Sequence, residues 1–385
     1  SGGVCCQSGD DIAAVVKVTN TGTVSGREVV QLYYSAPQGL LGKPARELAA
    51  YKKTKLLAPG ESEMLVLCFP VNQMASFDDL GKVCKSAYVL EQGNYRFYLG
   101  TSVRDTEEMD FVYEVAENRV TEQLGSWCRP FKLAKRMLSD GSFEPLPVSQ
   151  ANDFNYTALT PMTMEQLESL PPVRGQEARP FKWGKAGHPL SEVADGMVTL
   201  DDFMAQLSDE DLAWLMGGQP NTGVANTWGA GNQPRYGVPN IMTADGPAGL
   251  RVNEETGVCT TAFPCATLLA CSWDPEVARR VGEAGALEVK ENNIGIWLTP
   301  AVCIHRNPIC GRNFEYFSED PLLTGKQAAA MVRGIQSQNV SACVKHFCCN
   351  NKETNRKNSD SILSERALRE IYLKGFGICV KEALC

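Results

Sequence analysis

The pattern of apolar and polar positions changes character partway along the chain. Near the amino terminus, segments 13–18, 28–34, 64–69, 88–90 and 95–100 are short and rich in β-branched and aromatic residues, as strands on a half-buried surface are. Turn residues separate them, at Asn20-Thr21-Gly22, Ala58-Pro59-Gly60-Glu61 and Gln92-Gly93-Asn94. Short strands with Gly and Pro turns predict a β-sandwich of the immunoglobulin or fibronectin kind over residues 1–104. From 105 to 194 the pattern fades. Pro145-Leu146-Pro147, Pro171-Pro172 and Trp183-Gly184 point to an irregular connector, long enough to be expected to pack across both neighbours.

From residue 195 to 385 the pattern alternates between buried strand and amphipathic helix. Thr199 and Ser208 open capping-box variants, each predicting a short helix, the second stopped by Gly217-Gly218. Segments 239–243, 294–299 and 342–344 read as buried parallel strands, with helices expected over 275–292 and 322–339. Asp274 followed by Pro275 is a good helix start. A last helix begins after Ser364, with Leu363 and Leu368 at the staple positions, and is expected to run unbroken to Cys385. Repeated strand–helix units predict an α/β barrel of the (β/α)8 type. Such a barrel takes about 250 residues, so the barrel is expected to be incomplete at its C-terminal end.

In a barrel of this type the chemistry sits at the C-terminal ends of the strands. Three strand ends here are crowded with polar groups. The first is Asp245, followed by glycines and Arg251; the second runs from His305 to Glu315 and includes Arg312; the third carries Lys345, His346 and, further on, Arg356. One carboxylate among several cations and an imidazole could satisfy a small hydroxyl-rich ligand through both acceptors and donors. Adjacent strand residues point to opposite faces, so Lys345 and His346 should not both reach one ligand. An irregular or cis peptide is therefore expected between them.

Composition narrows the field. The formal net charge of -8 argues against nucleic acid or an anionic membrane as partner, since both reward basic patches. No apolar run reaches the length of a membrane span, and no signal peptide heads the sequence, which begins at Ser1 rather than Met. The fifteen cysteines follow no metal-ligand spacing, and the pairs Cys5-Cys6 and Cys348-Cys349 are poor partners for one tetrahedral site. No metal and no cofactor are expected. An odd count of thiols, many in apolar company, suits a reducing cytoplasm.

These motifs resemble glycoside hydrolase family 3, the β-glucosidase family. ADGPAGLR at 244–251, HRNPICGRNFEYFSEDP at 305–321, and VKHF with CNNKETNR within 344–356 are similar to its barrel motifs in order and spacing. The segment at 13–100 resembles the family's fibronectin type III-like domain, here ahead of the barrel as in the inverted domain order of some members. The resemblance implies that Asp245, Arg251, Arg312, Lys345, His346 and Arg356 hold a glucosyl unit in the −1 subsite. Trp228, in the glycine-rich loop 217–231, becomes a candidate platform for a sugar ring or a loop anchor. Family members usually carry Asn at the position of Cys303 and Ala at that of Cys348, so hydrogen bonding beneath the second loop is expected to be looser here.

The resemblance also implies retaining hydrolysis of terminal β-D-glucosyl residues from β-glucosides or oligosaccharides. That chemistry needs two carboxyl groups about 5–5.5 Å apart. The family's nucleophilic aspartate is expected after Cys385 and its acid/base glutamate before Ser1, leaving no catalytic residue within the chain. Three other readings compete. Asp245 could act as nucleophile with Glu315 or Glu353 as acid; the chain could be a non-catalytic sugar-binding or scaffold protein; or it could be a β-xylosidase-type member. The N-acetylglucosaminidase branch is disfavoured, because its additional histidine after KHF is absent from CCNNKETNR.

Overall fold

The computed structural model describes residues 3–146, apart from Trp127, Arg129, Phe131 and Ser139, and residues 187–385. In the first part, β1 (Val4–Ser8), β2 (Asp11–Thr19) and β5 (Ser62–Pro70) form one antiparallel sheet. The facing sheet has the order β4 (Glu47–Lys53), β3 (Val29–Ser35), β8 (Gly93–Ser102), β9 (Asp105–Val115). Strict alternation drives this pairing. Along β5, Leu65, Leu67 and Phe69 point inward while Met64, Val66 and Cys68 stay exposed. The inward residues meet Ile12, Leu32, Tyr95 and Phe97 in one core. A third sheet holds β6 (Ser76–Asp78), β7 (Ala87–Leu90) and β10 (Arg119–Gln123), and β11 (Lys135–Met137) pairs with β12 (Phe143–Pro145).

The boundary expected at residue 104 is corrected. Residue 104 lies in the tight turn between β8 and β9, which pair from Gly93↔Val115 to Ser102↔Asp105. The connector expected to be irregular from 105 therefore begins with an integral strand of the sandwich. Its inward positions Met109 and Val115 are buried, but charged residues between them dilute the apolar signal. At the other end, the helix α1 (Leu190–Ala194) also lies inside the expected connector. Pro171-Pro172 and Trp183-Gly184 lie outside the described residues.

The second part begins with α2 (Leu200–Ala205) and α3 (Asp209–Leu215). Both expected caps form: Thr199 accepts from Asp202 N, and Ser208 and Asp211 make a reciprocal capping box. A four-stranded sheet follows, in the order β13 (Gly229–Gln233), β14 (Val238–Ala244), β15 (Ile296–Trp297), β16 (Ser341–Ala342). The pairs β14–β15 and β15–β16 are parallel, with Ala244, Trp297 and Ala342 level. The short helix α4 (Ala266–Cys271) precedes two long crossovers, α5 (Pro275–Glu291) and α6 (Pro321–Gln336), capped by Asp274 and Asp320.

These two helices pack unusually close. A Cβ on Gly282 would lie 2.4 Å from Met331 O, and one on Gly334 would lie 2.0 Å from Arg279 O. Gly285 leaves room for the fully buried Trp297 ring of β15. The carboxy-terminal helix departs from expectation. It is broken into α7 (Glu365–Ala367), a π turn at Leu368–Tyr372 and α8 (Lys374–Ala383).

The sandwich docks on this second part. Tyr33 and Leu48 join its core. Arg27 pairs with Asp274 at 2.7 Å, Lys53 Nζ donates to Ser272 O at 2.6 Å, and the Tyr51 ring meets Trp273 edge-on at 5.1 Å. On α7 and the π turn, Arg366 donates to the carbonyls of Leu41 and Gly42 and to Glu370. Glu370 in turn accepts from Phe77 N at 2.6 Å. Among the described residues, no helix is long and apolar enough to cross a membrane.

Candidate functional site: the parallel strand ends

Asp245 is the first residue after β14. Its backbone N–H is capped by Asn226 Oδ1 at 3.0 Å. The chain then turns back so sharply that Arg251 N donates to Asp245 O at 2.9 Å. Only glycine fits the corner: a Cβ on Gly246, whose φ is +111°, would lie 1.9 Å from Gly249 O. The indole N–H of Trp297 braces the turn by donating to Gly246 O at 3.2 Å. A core residue thus fixes the loop that carries the carboxylate.

Two cations face that carboxylate. Lys345 Nζ makes a short hydrogen bond to Oδ1, and Arg251 Nη1 lies 3.5 Å from Oδ2. Burial would raise the Asp245 carboxyl. The Lys345 hydrogen bond and charge, the Gly246 N–H and Arg251 outweigh it and hold the group below the usual carboxylate range. Asp245 is therefore ionised and ready to accept hydrogen bonds.

Lys345 reaches Asp245 while its neighbour His346 reaches Arg312 and Tyr316. The peptide between them is cis, as is that between Phe347 and Cys348. Lys345 N donates to Pro300 O and Val302 N donates to Lys345 O, which extends the strand alignment past β15 and β16. His346 Nε2 lies 2.8 Å from Arg312 Nη2, and Nδ1 lies 3.1 Å from the Tyr316 hydroxyl. Burial, then the charges of Arg312 and Lys345, bring His346 from 6.5 down to about 4. The ring is neutral near pH 7.

Arg312 makes a two-point contact with the buried Glu315, at 2.7 and 3.1 Å, and lies 3.8 Å from Glu353. Arg356 stands further out. Its side chain is 52% exposed, and it reaches the cluster only through Glu353, at 3.1 Å. Trp228 is 69% exposed, and what fixes it is its carbonyl, which accepts from Thr243 Oγ1 at 2.8 Å.

Asp245, Arg251, Lys345, His346 and Arg312 thus form one continuous cluster, with Arg356 and Trp228 at its margin. Sequence reasoning missed the layer beneath: Asn226, Tyr316 and Asn350. Asn350 Nδ2 bridges the Tyr316 hydroxyl at 2.9 Å and Glu353 at 2.7 Å. The Cys303 thiol also reaches this layer, donating to the His346 carbonyl at 3.1 Å. A cleft of about 910 Å³ lies elsewhere, between the sandwich and the last helix, lined by Tyr51, Phe69, Leu322, Glu370 and Ile378. It includes no member of the cluster, whose convergent charges make the strand ends the stronger candidate.

An ionised carboxylate, an ammonium, two guanidiniums and a neutral imidazole offer acceptors and donors on one surface, at the C-terminal ends of parallel strands. Together with the docked sandwich, this defines a multidomain protein that pairs a fibronectin-like β unit with an α/β unit. Comparison with known proteins agrees on both parts. Residues 28–103 match the fibronectin type III-like domain, and residues 225–384 match the glycosyl hydrolase family 3 N terminal domain. The chain belongs to glycosyl hydrolase family 3.

It is 57% identical to β-glucosidase A of Butyrivibrio fibrisolvens, across 97% of this chain and 46% of that protein. It is 39% identical to a β-glucosidase of Ruminococcus albus, across 97% of this chain and 39% of that protein. A solved β-glucosidase structure from Paenibacillus barengoltzii superposes on all of this chain and 42% of its own, with TM-score 0.86 and 41% identity. The chain spans less than half the length of these relatives.

Proposed function

We propose that this chain forms the glucosyl-binding portion of a β-glucosidase-type glycoside hydrolase, which releases terminal β-D-glucosyl residues from β-glucosides or oligosaccharides with retention. The observation that carries the reading is the pairing of Asp245 with Lys345 and Arg251 across adjacent parallel strand ends, continuous with His346 and Arg312. Asp245 accepts from sugar hydroxyls, while Lys345, Arg251 and Arg312 donate to them. Arg356 and Trp228 close over the margin. The parallel strands and their helical crossovers are the opening units of a (β/α)8 barrel.

The reacting carboxyl pair comes from outside this sequence. Asp245, Glu315 and Glu353 are each engaged by a cation, which suits binding and orientation better than proton transfer at a glycosidic oxygen. A relative more than twice as long has room for both missing groups. The free cysteines fit a reducing, cytoplasmic setting. The test is an assay of the purified chain on an aryl β-glucoside. No turnover is expected; turnover that Asp245→Asn abolishes would place catalysis inside the chain and overturn this division of labour.

A further inference from the structure

His346 and His305 both grip Tyr316, from opposite ends and with opposite chemistry. His305 Nε2 lies 2.7 Å from Asn313 O and 2.9 Å from Tyr316 O. Two carbonyls can only accept, so this nitrogen carries a proton. His346 Nε2 instead faces the Arg312 guanidinium, which can only donate. Facing Arg312 favours the lone pair on that nitrogen, and in the neutral ring the proton then sits on Nδ1, where the Tyr316 hydroxyl must accept it for the tautomer to hold.

The Tyr316 oxygen accepts this proton and also one from Asn350 Nδ2. With both acceptor positions filled, its own O–H must donate elsewhere, and Cys303 Sγ is within its reach. The Cys303 thiol then donates to the His346 carbonyl. Cys303 thus stands between the two groups, packed against Tyr316 and donating to the backbone of His346.

We propose that Tyr316, supported by Cys303 and Asn350, is a positioning residue that holds His346 as the Nδ1–H tautomer. Nε2 is thereby kept as an acceptor toward the strand-end cluster. Building on the sugar-binding reading, one ligand hydroxyl donates its proton to His346 Nε2 when it takes the place of Arg312. Lys345 and Arg312 fill that oxygen's lone pairs. A hydroxyl replaced by fluorine or methoxy at that point cannot donate and is excluded.

Nitrogen NMR on the chain grown with nitrogen-15-labelled histidine tests this directly, because only His188, His305 and His346 contribute signals. Near pH 7 His346 is expected to show a protonated Nδ1 and a bare Nε2, and His305 the reverse. Four groups charge the His346 ring's surroundings, Arg312, Lys345, Glu315 and Asp245, and its second proton should appear only near pH 4. Tyr316→Phe should shift His346 toward a mixture of tautomers and leave His305 in place. Loss of the His305 signature would mark misfolding, and the Cys303 variants then give the answer. Cys303→Ser keeps an acceptor beside the Tyr316 hydroxyl, and with it the tautomer; Cys303→Ala removes that acceptor, turns the Tyr316 proton back toward Nδ1 and mixes them. A protonated Nε2 on wild-type His346, or identical His346 spectra in wild type, Tyr316→Phe and Cys303→Ala, overturns the proposal. Added D-glucose should move His346 Nε2 selectively. If the tautomer is as stated but glucose moves nothing, the acceptor role toward sugar fails while the positioning by Tyr316 stands.

Discussion

Replacing Gly285 by alanine is expected to destabilise the chain, although Gly→Ala in an open helix position stabilises. The helix gains about 1 kcal/mol from propensity. Against this, the new Cβ would sit 2.2 Å from Trp297 Cη2 and 2.5 Å from Cζ3. Trp297 is fully buried, and its indole N–H is held by Gly246 O, so the ring cannot retreat without breaking a hydrogen bond. Overpacking a well-filled core costs typically ~1–3 kcal/mol, and a contact this short belongs at the upper end. The net loss is roughly 2 kcal/mol once propensity is subtracted. Gly377 in α8 is the control: nothing lies within 4 Å of its added Cβ, so Gly377→Ala should gain roughly 0.5–1 kcal/mol. Urea unfolding followed by tryptophan fluorescence reads both variants. Because Trp297 braces the Asp245 turn, Gly285→Ala should also weaken glucose binding. Equal stabilisation by both substitutions would refute the close packing of Trp297 under α5.

Acid should destabilise the chain through the site. The folded-state value of His346, about 4 against 6.5 when unfolded, means that the unfolded chain takes up the proton first as pH falls. Stability from this group is complete above 6.5 and lost between 6.5 and about 4, by up to about 3 kcal/mol, or roughly 1–2 once solvent screening of the partly open ring is allowed for. Asp245, held low by Lys345 and Arg251, adds a loss of the same sign at lower pH, as pH falls from 3.8 through its own folded value; denaturation midpoints that stay flat between 6.5 and about 4 contradict the His346 effect, and midpoints flat below 3.8 contradict that of Asp245. At the domain contact, Arg366→Ala removes the donors to Leu41 O and Gly42 O and leaves the partly buried Glu370 without its cation, held only by Phe77 N. It should cost about 2–3 kcal/mol and speed amide exchange around residues 40–43 and 77. Unchanged exchange there would show that the sandwich does not depend on this anchor.

What the sequence revealed depended on whether the signal was local. Asp274-Pro275 and the Ser208 box announce helix starts because each cap is completed within a few residues. The glycines at 246 and 249 announce a tight turn for the same reason. Strand β9 was hidden although Met109, Phe111, Tyr113 and Val115 alternate, because the exposed Glu107, Glu108, Asp110 and Glu114 make the stretch read as polar. The π turn at Leu368–Tyr372 has no pattern of its own; it seats Arg369 over the Phe77 ring, 4.6 Å from its centroid, and brings Glu370 to Phe77 N. In the site, the charged residues stood out by type. Tyr316 and Asn350 did not, since their role is set by partners about thirty or more residues away.

The most direct test of the central claim is a calorimetric titration of the chain with D-glucose, repeated on Asp245→Asn. Saturable binding is expected in the wild type. The variant should bind at least tenfold more weakly, because its amide no longer offers a charged acceptor and leaves Lys345 without its counter-ion. A wild-type chain that ignores glucose, or an Asp245→Asn variant that binds as well as wild type, would contradict the assignment of these strand ends to a sugar.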